Sequence, residues 1–135
     1  MPWAIPHASK DWQAFLGDAK DGLGLKSNNM AYTAVQGVLV TFRHRLTPRE
    51  VMAFADVLPA VLRAVFVAGW NPEMPPALRP HHNLTPPAPI EPVARALRRA
   101  LRQPDLDRVL AAIGPEAQAF WQVSAPAADL ARRIV

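Results

Sequence analysis

The 135-residue chain has no cysteine, which removes disulfides, thiolate metal sites and cysteine nucleophiles from consideration. It has no long apolar run either. The longest nearly apolar stretch, residues 34–42, is less than half of what a membrane-spanning helix needs. Only 6 glycines are present, and none builds a phosphate loop, a dinucleotide fingerprint or a Gly-x-Ser-x-Gly elbow; a His-Glu-x-x-His motif is missing as well. The opening residues Met1-Pro2-Trp3-Ala4-Ile5-Pro6-His7 lack the charged start and apolar core of a signal peptide, and the expected compartment is cytoplasmic. The excess of positive charge is small, +4 overall, and falls short of the density expected of a dedicated nucleic-acid binder.

What is present is a globular composition: 50% of the residues are hydrophobic and 19% charged, enough to build one self-sufficient core. Ser9 reads as the N-cap of a first helix whose apolar positions are Trp12, Phe15, Leu16, Ala19 and Leu23, with Gly22 and Gly24 ending it. A second helix is expected over residues 28–45, with a stripe of Ala31, Ala34, Val35, Val38, Leu39 and Phe42. The clearest start is Thr47-Pro48-Arg49-Glu50: a capping threonine, a proline at the first helical position and a glutamate three residues after the cap. That helix runs to Leu58, and Pro59 separates it from another that buries Leu62, Val65, Phe66 and Trp70.

Proline is plentiful, 15 in all, and eight of them fall within residues 71–92. Such density forbids a regular element and predicts a stiff, extended connector. Helical spacing resumes at Val93, Ala94, Leu97 and Leu101. It continues from Pro104 through Ile113 and closes with Ala117, Phe120 and Trp121. Sliding the chain on itself by 56 residues superposes Pro48 on Pro104, Phe54 on Leu110 and Pro59 on Pro115, which points to an internal duplication. The expected fold is all-α, a small bundle of two related helix-pair units joined by the proline-rich connector. The units span residues 9–70 and 93–123, the connector 71–92, and a tail 124–135 completes a single domain.

Three motifs carry a resemblance: Leu46-Thr47-Pro48-Arg49-Glu50, Leu58-Pro59-Ala60-Val61-Leu62-Arg63, and Gly69-Trp70-Asn71-Pro72. Through them, residues 31–75 resemble the bacterial domain-of-unknown-function family numbered 2267. Gly114-Pro115 followed by Phe120-Trp121 forms a weaker second copy. Where that family tends to carry glycine, tyrosine and glutamate before its glycine-tryptophan pair, this chain has Ala64, Phe66 and Ala68. The resemblance implies an all-helical fold and brings no activity with it.

Arg95, Arg98, Arg99 and Arg102 are spaced to line one helix face, which either grips an anionic partner or is simply a solvated surface opposite Val93, Ala94, Leu97 and Leu101. No aromatic residues interleave with them, which disfavours single-strand binding by stacking. His81-His82 lies in the connector without the further ligands a metal would need, so no metal and no cofactor is expected. Asp11, Glu50, Asp105 and Glu116 stand where helices begin, and the helix dipole accounts for them without an acid–base role. The helix after Thr47 offers Arg49 but otherwise Met52, Ala53 and Asp56, too little to read base edges. Trp70 either folds back on the core or anchors a partner, and Trp3 belongs to an apolar N-terminal segment with the same capacity. The resulting expectation is a non-catalytic protein–protein interaction or assembly module, an accessory subunit or adaptor that binds through the extended proline-rich arm and the basic helix face. Its contact residues would be Trp3, Trp70, Arg95, Arg98, Arg99 and Arg102. Electrostatic nucleic-acid binding and a small-ligand site between the two units are the alternatives, and self-association into a homo-oligomer is compatible with all three.

Overall fold

The computed structural model describes residues 8–73 and 90–123, and within them the chain is all-helical, with seven helices and no strand. They are α1 (Ala8–Leu23), α2 (Asn28–Arg43), α3 (Pro48–Asp56), α4 (Ala60–Val67), α5 (Ile90–Ala100), α6 (Gln103–Ile113) and α7 (Pro115–Phe120). Trp3, His81, His82, most of the proline-rich connector and the tail from residue 124 lie outside the described residues.

Local chemistry accounts for most of the boundaries. Ser27 caps α2 by accepting from the Met30 N–H at 3.1 Å. At α3 the expected capping box is present: the Glu50 N–H donates to the Thr47 hydroxyl (3.2 Å) and the Thr47 N–H to Glu50 Oε1 (2.9 Å). Helix α1 ends in a paired closure, with the Leu25 N–H donating to the Lys20 carbonyl and the Gly24 N–H to the Asp21 carbonyl. This turn requires a left-handed residue, and Gly24 supplies it at φ +69°. Gly69, also at φ +69°, is the third residue of a type II turn after α4, in which Ala68 has φ −59° and ψ 129° and the Trp70 N–H donates to the Val67 carbonyl. Two expected boundaries move. Ser9 lies inside α1, which begins one residue earlier, at Ala8. Helix α5 opens at Ile90, so Pro92 belongs to its first turn, where the missing N–H has no intrahelical acceptor to lose.

The amphipathic faces meet in one continuous core. α1 lies against both α2 and α5, α2 against α4, α3 against α4 and α6, and α6 against α7. At the centre stand Phe42, Phe54, Phe66, Phe120 and Trp121. Trp121 is fully buried, stacked on Phe54 at 5.8 Å between ring centres and edge-on to Phe42 at 5.3 Å. The junction of α1 and α5 is made close by small residues, and a Cβ on Gly22 would come within 3.2 Å of Pro92 Cβ.

The duplication is real in its burial pattern, but its register is 55 residues, not 56. At 55, buried Val38, Phe42, Leu46, Val51, Ala55, Leu62 and Phe66 fall on buried Val93, Leu97, Leu101, Leu106, Leu110, Ala117 and Trp121. At 56, Val51 would fall on exposed Asp107 and Leu62 on exposed Gln118. The prolines mislead by one position because any first-turn site tolerates them. Pro48 opens α3 as its first residue while Pro104 is the second of α6; Pro59 is the N-cap of α4 while Pro115 is the first residue of α7. The repeated unit is therefore three helices long. α2–α3–α4 matches α5–α6–α7, and α1 lies across the equivalent helices α2 and α5.

Candidate functional site

The four arginines expected on one face do not form a single cationic surface. Helix α5 ends at Ala100, and Arg102 is the extended N-cap residue of α6 (φ −74°, ψ 123°), so the run stops one turn short. Arg98 turns toward α6 and α7: its Nε donates to the Trp121 carbonyl at 2.8 Å, and its Nη1 reaches Gln103 Oε1 (3.1 Å) and Asp107 Oδ1 (3.2 Å). Arg99 turns toward α1 and binds Asp18 Oδ1 at 2.8 Å, each side chain only 17% exposed. Arg95 meets Glu91 one turn back at 3.7 Å, a partly solvated pair of modest strength. Of the four, only Arg102 is exposed.

A pattern not seen in the sequence explains Arg98. Arg43, 55 residues earlier, is the buried polar side chain of the described core at 6% exposure. Its Nη1 donates to the Phe66 carbonyl (3.0 Å) and the Ala68 carbonyl (2.8 Å), where α4 has run out of its own donors. Arg43 to Phe66 and Arg98 to Trp121 span the same 23 residues. Each is the arginine of the first helix of a unit, closing the end of the third. Arg63 performs a related task within the first unit, reaching the carbonyls of Ala55 (3.0 Å) and Leu58 (3.1 Å) at the end of α3. A guanidinium suits these places because carbonyl oxygens and the negative pole of the helix converge there. The equal spacing of Arg43 and Arg98 is the signal that a 55-residue alignment would have shown.

Trp70 follows the left-handed Gly69, and its N–H donates to the Val67 carbonyl at 3.0 Å. Its ring packs partly against the core, and its buried Nε1 has no hydrogen-bond partner among the described residues. The preceding helix, α4, is apolar at every position except Arg63. Its outward side carries Ala64, and Ala68 follows at its C-cap, both exposed, beside half-buried Ala60, Val61 and Val67.

The described surface also has hollows. A groove of about 420 Å³ runs between the end of α2, the start of α3 and the α6–α7 corner. Phe42, Leu46, Ala117 and Phe120 form its apolar floor; Arg45, Glu50 and Glu116 stand around it. The Arg45 guanidinium lies over the Phe120 ring, 5.3 Å from its centre. A second hollow of about 360 Å³ is of mixed character, bordered by Arg98, Asp107 and Gln118 together with Leu110, Pro115 and Ala119. Among the described residues no three histidine or carboxylate side chains converge as metal ligands, and no helix is long and apolar enough to cross a membrane.

No curated protein matches the chain. A family model does: residues 12–120, from the first turns of α1 to the last residue of α7, match the uncharacterized conserved protein family DUF2267. The match takes in both three-helix units and the helix that lies across them, and the chain belongs to that family.

Proposed function

We propose that the protein is a non-catalytic interaction or assembly module, an accessory subunit or adaptor that binds a protein partner. The observation that supports this reading most directly is the outer side of α4. Ala60, Val61, Ala64, Val67 and Ala68 offer an uncharged surface, and the one charged residue of the helix, Arg63, has its guanidinium folded onto the carbonyls of α3. A solvated helix ordinarily carries charge on its outer face, and an apolar one is ordinarily covered. Trp70 continues the same surface with a large, partly buried ring.

This shifts the expected contact from the arginines of α5 to α4 and Trp70. Arg98 and Arg99 are engaged within the molecule, so reversing their charge tests folding as much as binding. Ala64 is exposed, and a glutamate there leaves the core intact while placing a charge in the middle of the apolar surface. The test is affinity capture of the tagged full chain from its native lysate, with and without nuclease, using the unaltered protein and Ala64→Glu. A stoichiometric protein complex should survive nuclease and be lost in the variant. Recovery of nucleic acid alone, removed by nuclease, would replace this reading with the electrostatic one, and equal capture by the variant would remove α4 from it.

A further inference from the structure

The geometry points to the groove between the two units as a binding site for a small organic acid, a molecule with an aryl or branched-alkyl body and a single carboxylate. The site shares no residue with the α4 surface and does not depend on it.

The hollow has a cause in the duplication. In the 55-residue register, Gly114 stands where the first unit has Pro59, and Ala117 where it has Leu62. The two truncations remove side-chain volume at the α6–α7 corner, and the floor left behind is Phe42, Leu46, Ala117 and Phe120. At about 420 Å³ the space is in the range that holds a small molecule rather than a few waters. An apolar floor favours an apolar body, because water there has few partners.

The charge of the ligand follows from Arg45. Of the nine described arginines, six donate to carbonyls or pair with carboxylates: Arg43, Arg63, Arg95, Arg98, Arg99 and Arg108. Arg49 and Arg102 stand exposed at helix starts. Arg45 instead lies over the Phe120 ring beside a concave apolar floor, with neither Glu50 nor Glu116 within ion-pairing distance. A guanidinium resting over a ring keeps its N–H donors at its edges, where they match the two oxygens of a carboxylate. Glu50 is already turned to the Thr47 N–H, and Glu116 stands in the first turn of α7. These two carboxylates oppose any anion that enters, and they oppose a doubly charged phosphate about twice as strongly as a monoanion, so a single carboxylate is the anion the border resists least.

The experiment titrates a panel of aryl and branched-alkyl carboxylates, each beside its uncharged amide, into the methyl-labelled full chain, read by NMR. At least one acid should shift the methyl signals of Leu46, Ile113 and Ala117 and bind about tenfold or more tightly than its amide. Arg45→Gln, an exposed change that leaves the core alone, should abolish that difference while sparing the amide. Ala117→Leu, which restores the side chain of the first unit, should weaken acid and amide together. The inference is overturned if no acid shifts these methyls at millimolar concentration, if acid and amide bind alike, or if Arg45→Gln leaves the acid's affinity unchanged.

Discussion

Arg43 and Arg98 illustrate how a side chain's role depends on what it reaches rather than on where it sits in its own helix. Both stand in the last turn of their own helix, and both are aimed at a helix end elsewhere. Removing Arg43 leaves the Phe66 and Ala68 carbonyls buried or part-buried without a donor, and bonds to a charged donor are individually stronger than neutral ones. Arg43→Ala should therefore cost about 3 kcal/mol of folding stability, and Arg98→Ala about 2 kcal/mol. The Asp107 contribution to Arg98 is small because that carboxylate is 63% exposed. Urea denaturation of each variant measures both losses. Stabilities within 0.5 kcal/mol of the unaltered protein (roughly the scatter of surface substitutions) would show that water serves these carbonyls equally well.

Among the elements, the short helices survive because their ends are closed. α3 and α4 have 9 and 8 residues, too few to be stable alone in water. The capping box at Thr47, the arginines at the C-termini and the left-handed glycines each satisfy groups that a short helix has no means to satisfy itself. One substitution type should then act with opposite signs along the chain. Gly69→Ala forces a Cβ into φ +69° and is expected to destabilise by about 1 kcal/mol. Gly17→Ala, inside α1 with nothing within 4 Å of the new Cβ, should stabilise by about 0.5–1 kcal/mol. Thermal melts of the two variants decide the matter, and shifts of the same sign would refute the assignment of Gly69 as a left-handed terminator.

For the molecule as a whole, the aromatic centre joins the two units into one cooperative body. Phe42, Phe54 and Phe66 come from the first unit, Phe120 and Trp121 from the second, and their ring centres lie 4.9–5.8 Å apart in the recorded pairs. α1 reinforces the junction from outside, through its packing on α2 and α5 and the Asp18–Arg99 pair. Neither unit has an independent core, so unfolding should be a single transition. Trp121→Ala, which empties the centre, is expected to cost about 3–5 kcal/mol and to lower the midpoint seen by far-UV and near-UV circular dichroism together. Two separated transitions would mean that the units fold apart.

The sequence is legible wherever cause and effect lie within a few residues. The spacing of Val35, Val38, Leu39 and Phe42 marks the buried face of α2, and Thr47-Pro48-Arg49-Glu50 marks the start of α3, because a helix is periodic and its end chemistry is local. The family could be read from the same stretch, since its motifs are those local signals. The duplication was visible, but its register was not: proline is tolerated at several first-turn positions and cannot distinguish 55 from 56, whereas burial can. Least legible were the arginines. Their spacing describes one face of a helix, yet Arg98 bonds a carbonyl 23 residues away and Arg99 a carboxylate 81 residues away. The groove depends on the same long-range assembly, for its floor joins Phe42 and Leu46 of one unit to Ala117 and Phe120 of the other. Periodicity and capping are written residue by residue; which polar group meets which partner, and where a small residue leaves a hollow, is settled only when helices distant in the chain pack together.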